Sequence, residues 1–238
     1  MSNWLVQLTG EKFDLEDLPN CFTVPELKVV EEFDSYYLKS ELFDLLQDVN
    51  EVRVLAEELR DRMIGAAKLA RSNFQPVDLG AVIRQEEDGK RNVYLFPETL
   101  VIRSKLSAKA TVRGSRIMPQ VPQPALWVVL AATDDKVAQA LRLWGRGSDD
   151  WVKLFKLLEI IESDVGGAIY SNEWATKAEV SRFTQTANSA EALGDAARHA
   201  KKRVPAPSEP MPIEVARQLL KRLLERWITS KTSQLSNE

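Results

Sequence analysis

Between residues 41 and 72 the apolar positions Leu42, Leu45, Val49, Val52, Ala56, Leu59, Met63, Ala66 and Ala70 recur at alternating steps of three and four. That spacing marks one face of an α-helix, and Ser40 stands where an N-cap belongs. The stripe predicts one long helix lying across a sheet. A coiled-coil dimer seam is the alternative, weakened by its Val and Ala positions. Around this helix the period shortens to that of strands. WLVQLT (4–9) reads as a strand, and LKVVEEFDSYYLKS (27–40) as a hairpin turning near Asp34-Ser35. GAVIRQEEDGKRNVYLF (80–96) is a stronger hairpin, because Asp88-Gly89 is a favoured two-residue turn between β-rich arms. ETLVIRSKLSAKATV (98–112) continues as a third arm.

Two proline clusters punctuate the chain: Pro119, Pro122 and Pro124, then Pro205, Pro207, Pro210 and Pro212. Proline fixes φ and removes a donor, so neither cluster belongs inside a helix or a central strand. After the first cluster the pattern turns all-helical. Helices are expected over 125–132, 134–145, 149–163, 176–187, 189–202 and 213–230, with Asp134 and Asp149 capping the second and third. Trp151, Leu154, Leu158 and Ile161 line one face of the third; Ile213, Ala216, Leu220, Leu223 and Trp227 line one face of the last. The predicted class is therefore α+β: an N-terminal antiparallel sheet with one long helix, then a C-terminal all-helical domain. The expected division is an α+β domain over 1–118, a Pro-rich linker over 119–124, a helical domain over 125–230 and a flexible polar tail over 231–238.

The 238 residues are 44% hydrophobic and 28% charged, an ordinary globular balance. The longest apolar run, ALWVVLAA (125–132), falls well short of the roughly 20 residues that a membrane span needs. The N-terminus lacks a basic stretch followed by a long apolar core, so no signal peptide is read there. Cys21 is the only cysteine, which rules out an internal disulfide, and it reads as a small packed residue. These features predict a cytoplasmic, bacterial-style protein with no membrane partner. Charge changes the picture more. Residues 1–60 hold 14 Asp/Glu and 5 Lys/Arg, a net of −9, whereas residues 61–118 hold 6 and 11, a net of +5. An acidic start beside a basic middle points to internal complementarity or to two separate surfaces.

Several chemistries are missing from the pattern. One His and one Cys cannot build a His/Cys metal cage within a chain. No G-x-S-x-G, G-x-x-x-x-G-K-[ST] or G-x-G-x-x-G occurs. No metal and no cofactor is expected. RLWGRGSDDW (142–151) reads as a loop between helices, and the adjacent pairs Glu86-Glu87 and Asp149-Asp150 read as solvated turns and caps.

Two constellations carry candidate chemistry. In the strand 99–113, alternation puts Leu100, Ile102, Leu106, Ala108, Ala110 and Val112 on one face and Arg103, Lys105, Lys109 and Arg113 on the other. Arg84, Lys90, Arg91 and Arg116 extend that charge. Such a face suits nucleic-acid phosphates or an acidic protein partner; the alternative is a solvated face, or one meeting the acidic helix 41–61. The second constellation is FTQTANSAEALGDAARHAKKR (183–203), which contains the only histidine. Ser189 is placed to start a helix that ends in Lys201, Lys202 and Arg203, as the helix dipole prefers. On that helix Asp195 shares a face with Arg198 and His199. A carboxylate beside an imidazole orients the ring and favours its cation. This is how a base is set up, and also how a structural polar cluster is satisfied.

A polar helix ending in Arg198-His199, a Pro-rich break and a last amphipathic helix bearing Trp227 resemble the HEPN-type helical domains of bacterial defence and toxin systems, over roughly residues 134–230. Active members place a His four to six residues after an Arg, whereas here Arg198 directly precedes His199. The resemblance implies either a non-catalytic member or a metal-independent ribonuclease. In the ribonuclease His199 would be acid/base, Arg198 would stabilise phosphate, and Asp195 would stand beside them at a composite site formed by a dimer. The leading expectation is a non-enzymatic binding protein acting in a homo-oligomer or multi-protein assembly, with nucleic acid as a possible partner. Its contact residues would be Arg103, Lys105, Lys109 and Arg113, then Arg198, Lys201, Lys202 and Arg203. The ribonuclease is the alternative.

Overall fold

The computed structural model describes residues 3–86, 90–96, 122–147, 150–198 and 205–235. The fold is α+β, with an antiparallel sheet and a long helix followed by an all-helical region. The chain divides into two units, 1–133 and 134–238.

The first unit is built on a six-stranded sheet ordered β2-β3-β4-β1-β5-β6. The strands are β1 (Asn3–Thr9), β2 (Thr23–Val24), β3 (Leu27–Glu32), β4 (Ser35–Lys39), β5 (Asp78–Gln85) and β6 (Arg91–Tyr94). β1 lies in the middle because its Trp4, Leu5, Val6 and Leu8 are all buried, and only a central strand can bury both faces. The register slips between Val6 and Leu8. At that slip Gly80 gives room to a side chain: a Cβ there would lie 2.8 Å from Gln7 Oε1. Both predicted hairpins form. β3 and β4 pair in register through Glu32 and Ser35, so the turn is Phe33-Asp34, one residue earlier than the sequence suggested. β5 and β6 pair from Gln85–Arg91 to Val82–Tyr94; Asp88-Gly89 lies outside the described residues.

The long helix is shorter than its stripe. Residues Glu41–Leu45 form a 3₁₀ turn, and α2 runs over Val49–Ala70. Asp48 starts it anew, accepting hydrogen bonds from the backbone N–H groups of Asn50 and Glu51, a capping geometry that overrides the apolar period. Leu45 is 79% exposed, while Val52, Ala56, Leu59, Met63 and Ala66 are buried. α2 packs on β1 and β5, so the stripe is spent inside the unit and the coiled-coil alternative is set aside. A helix the pattern did not predict, α1 (Lys12–Cys21), crosses to β3. Its Asp14, only 4% exposed, accepts hydrogen bonds from Arg71 just after α2 and, at 3.3 Å, from the Gln75 N–H. The Arg71 guanidinium also sits 5.0 Å from the Phe13 ring and 5.4 Å from that of Phe74.

Helix α3 (Gln123–Thr133) packs on α1, α2, β2 and β3. The sequence reading put this helix with the C-terminal domain, but the contacts put it with the sheet, and the division falls after Thr133. Its Trp127, Val128, Leu130 and Ala131 are all buried, and a helix apolar on most sides carries no periodic clue to its layer.

The second unit comprises α4 (Asp135–Gly145), α5 (Trp151–Val165), α6 (Ala168–Ser171), α7 (Lys177–Asn188), α8 (Ala190–Leu193) and α9 (Ile213–Leu235). α5 is its centre, touching α4, α6, α7 and α9, because its Trp151, Leu154, Leu158 and Ile161 are buried as their spacing predicts. Asp134 caps α4 as expected. α5 is capped by Asp150 rather than Asp149. Phe183 of α7 packs tilted against Trp151 and stacks on Phe155, at 5.7 and 6.2 Å between centroids. Trp227 of α9 is wholly buried and donates its indole N–H to Asp164 at 2.8 Å. Lys231 pairs with Asp134 and, at 2.8 Å, with Asp164. Residues 231–235 of the expected flexible tail therefore continue α9, which Lys231 anchors; 236–238 lie outside the described residues.

Candidate functional site

Of the predicted HEPN-like cluster, Asp195 and Arg198 fall within the described residues, and Arg198 is held by structural contacts. The expected helix 189–202 stops at Leu193, because Gly194 turns to φ 57° and begins a 3₁₀ turn through Ala196. Asp195 lies in that turn and is exposed, so the helical spacing that put it on one face with Arg198 and His199 does not apply. Arg198 donates its backbone N–H to the Ala187 carbonyl at 2.9 Å. Its guanidinium donates to Glu159 Oε1 at 2.9 Å and lies 4.1 Å above the Phe155 ring. Both guanidinium contacts tie the segment after the 3₁₀ turn back to α5. His199, Lys201, Lys202 and Arg203 lie outside the described residues, as do Arg103, Lys105, Lys109, Arg113 and the rest of 99–113, where the sequence predicts a strand.

The site that the structure assembles is a groove between α7 and α9, which the sequence reading did not single out. It begins where α5 ends at Gly166 (φ 52°) and the chain folds back through α6. The N–H groups of Trp174 and Ala175 both donate to the Ile169 carbonyl, and Glu173 adopts φ 55°. This turn delivers Thr176 to the start of α7 as a reciprocal cap. Thr176 Oγ1 accepts from the Glu179 N–H at 3.1 Å, while the Thr176 N–H and hydroxyl donate to Glu179 Oε2 at 2.8 and 2.9 Å. Arg222, one face of α9 away, closes the arrangement: its Nη2 donates to Glu179 Oε1 at 2.6 Å and its Nε to the Trp174 carbonyl at 3.1 Å.

Two hollows flank this brace and share Glu179 and Arg222 in their walls. The larger, about 680 Å³, is walled by Tyr170, Trp174 and Lys177, with the Lys177 ammonium 5.9 Å from the Tyr170 ring. The smaller, about 370 Å³, has Met211, Val215 and Leu219 on its apolar side and Arg182 at its rim. Arg182 is held by the carbonyls of Glu209 and Pro210 at 2.7 and 3.3 Å. The backbone bond from Thr176 and then the Arg222 guanidinium hold the Glu179 carboxyl below its ordinary value, so it is ionised and neutralised within the wall. Burial and then Glu162 raise the Tyr170 phenol. The groove thus offers an aromatic wall, an apolar side and a cationic rim. That set suits a peptide-like ligand with an apolar side chain, and its volume lies in the usual range for binding clefts.

Among the described residues no three His, Cys, Asp or Glu side chains come together as metal ligands would, and no helix is long and apolar enough to cross a membrane. The sequence held one signal for the groove, the capping-box spacing Thr176-x-x-Glu179 just after Trp174. Arg222, on a different helix, had none. No protein-family model, no curated protein and no solved structure matches this chain.

Proposed function

We propose that the protein acts by non-enzymatic binding, as a component of an assembly, and that the α7–α9 groove is where its helical unit takes a peptide segment of a protein partner. The observation that carries this reading is the groove itself. Two adjoining hollows are braced by Arg222 and Glu179, with Trp174 and Tyr170 on one side and Val215, 42% exposed, on the other. The brace is satisfied without a ligand, so the walls are preorganised and binding carries little ordering cost. Arg198, the described cation of the ribonuclease alternative, is committed to Glu159 and Phe155, which favours binding over cleavage. The cations Arg103, Lys105, Lys109, Arg113, Lys201, Lys202 and Arg203 stay, on sequence grounds, candidates for contact with nucleic acid or an acidic partner. If they act so, binding to labelled RNA weakens steeply with salt.

The test is a peptide-display selection on the full-length protein, counter-selected on Val215→Arg. The exposed position tolerates arginine while the new side chain fills the groove. Peptides that bind the wild type and lose roughly tenfold or more with Val215→Arg support the reading. Peptides indifferent to that change overturn it. So does cleavage of labelled RNA in the presence of chelator that disappears with His199→Ala. Light scattering of the same preparation reports whether the chain self-associates.

A further inference from the structure

The β3–β4 hairpin closes on Phe33 and Asp34, whose φ angles of 52° and 56° put both in the left-handed region. A two-residue loop of this kind favours Asn, Asp or Gly at its first position and Gly at its second. A bulky side chain at positive φ is a genuine outlier. Burial does not compensate for that strain, because Phe33 is 84% exposed. The Arg91 guanidinium lies 5.2 Å from the centroid of the ring. A residue that is unfavourable both for its backbone and for its exposure points to function at that position.

The surroundings define the chemistry. Glu31 and Asp34 flank the ring and are exposed. Glu31 pairs across the hairpin with Tyr36, and burial, then Glu31, Glu16 and Asp34, hold the Tyr36 phenol above its ordinary value. Glu16 reaches Lys12 at 3.9 Å, and Glu32 is matched by Arg91 at 2.6 Å and Lys39 at 3.4 Å. The tip is therefore an exposed ring over the Arg91–Glu32 pair, with the exposed carboxylates of Glu31 and Asp34 beside it in the chain.

We propose that Phe33 is the anchor of a protein–protein contact whose partner surface offers an apolar pocket bordered by Lys or Arg. The flanking Glu31 and Asp34 steer such a surface onto the tip, and they disfavour insertion into a membrane, whose lipid surface is itself negative. The contact lies in the sheet unit and stands whether or not the α7–α9 groove binds a peptide.

The decisive variant in the full-length protein is Phe33→Asn, which suits the turn and deletes the anchor. Its melting temperature equals or exceeds that of the wild type; a fall shows the ring to be structural and overturns the proposal. A photo-crosslinking benzoylphenylalanine is then placed at position 33 in the cells that make the protein. Each captured protein is purified and titrated against wild type, Phe33→Asn and Phe33→Tyr at about 50 and about 300 mM salt. Support is a protein that binds the wild type, loses roughly tenfold or more with Phe33→Asn, keeps its affinity with Phe33→Tyr and weakens at the higher salt. Crosslinks to lipid or to a second copy only, affinity indifferent to Phe33, or affinity indifferent to salt each overturn it.

Discussion

Replacing Thr176 by alanine removes one hydroxyl from the start of α7 and little else. That hydroxyl accepts from the Glu179 N–H at 3.1 Å and donates to the Glu179 carboxylate at 2.9 Å. Losing an N-cap acceptor costs about 1 kcal/mol. The second loss adds little, because Glu179 is 40% exposed and keeps both the Thr176 N–H at 2.8 Å and Arg222 at 2.6 Å; water takes the vacated position. The expected cost is therefore about 1 kcal/mol, which in a unit the size of 134–238 lowers Tm by roughly 4 °C. Circular dichroism at 222 nm during heating measures it, with Thr176→Ser as the control that restores the cap. The same variant loosens the groove wall, so any peptide selected on the groove binds more weakly to Thr176→Ala than to Thr176→Ser. A Tm indistinguishable from wild type, or a serine variant as unstable as the alanine one, refutes the capping argument.

Asp14→Ala strips Arg71 of its buried carboxylate and leaves the Gln75 N–H without its acceptor. Because Arg71 keeps Asp17 at 3.2 Å and two aromatic faces, the cost falls below that of a fully buried pair, to roughly 2–3 kcal/mol. Urea unfolding checks it, and a coupling energy near zero in a cycle with Arg71→Met sinks the ion-pair account. Glu162 is held above its ordinary value of 4.5 by burial and then by Glu159. Folding therefore favours its protonated form, and the stability it supplies is present at low pH and lost as pH rises through the folded value. Glu162→Gln stabilises the protein more at pH 7 than at pH 4, and an equal gain at both refutes the assignment. Gly80→Ala drives a Cβ toward three atoms of Gln7, costing about 1–2 kcal/mol by overpacking. Gln7→Ala in the same chain returns part of that loss, and a cost unchanged by it shows that the strain lies elsewhere.

The layers of this fold were legible where one element carries its own signal. The Val29 and Tyr36–Tyr37 positions of the hairpin arms, the α5 face from Trp151 to Ile161 and the α9 face from Ala216 to Trp227 are buried, with Val30 partly so. Misreadings arose where a short-range signal competed with a longer one. The stripe from Leu42 to Ala70 runs unbroken through Asp48, yet the cap at Asp48 decides where α2 begins. Gly194 does the same to the helix drawn through His199. α1 carries Pro19 near its end, where a proline argues against a helix in the sequence pattern alone.

Sites are less legible than layers for a physical reason that Arg198 and Arg222 share. Each is a cation on an amphipathic segment, and composition ranks Arg198 higher because Lys201, Lys202 and Arg203 follow it. What separates the two is where the tertiary structure brings acceptors. Glu159, 39 residues away, takes the Arg198 guanidinium and Phe155 covers it, so that charge is spent on holding a chain end. Glu179, 43 residues from Arg222, also forms an ion pair, but there the pair sits between two hollows and shapes them. The same chemical contact is a latch in one place and a wall in the other. An inventory of charged residues along a chain finds both and cannot order them; the order comes from the space left beside each pair once the helices have packed.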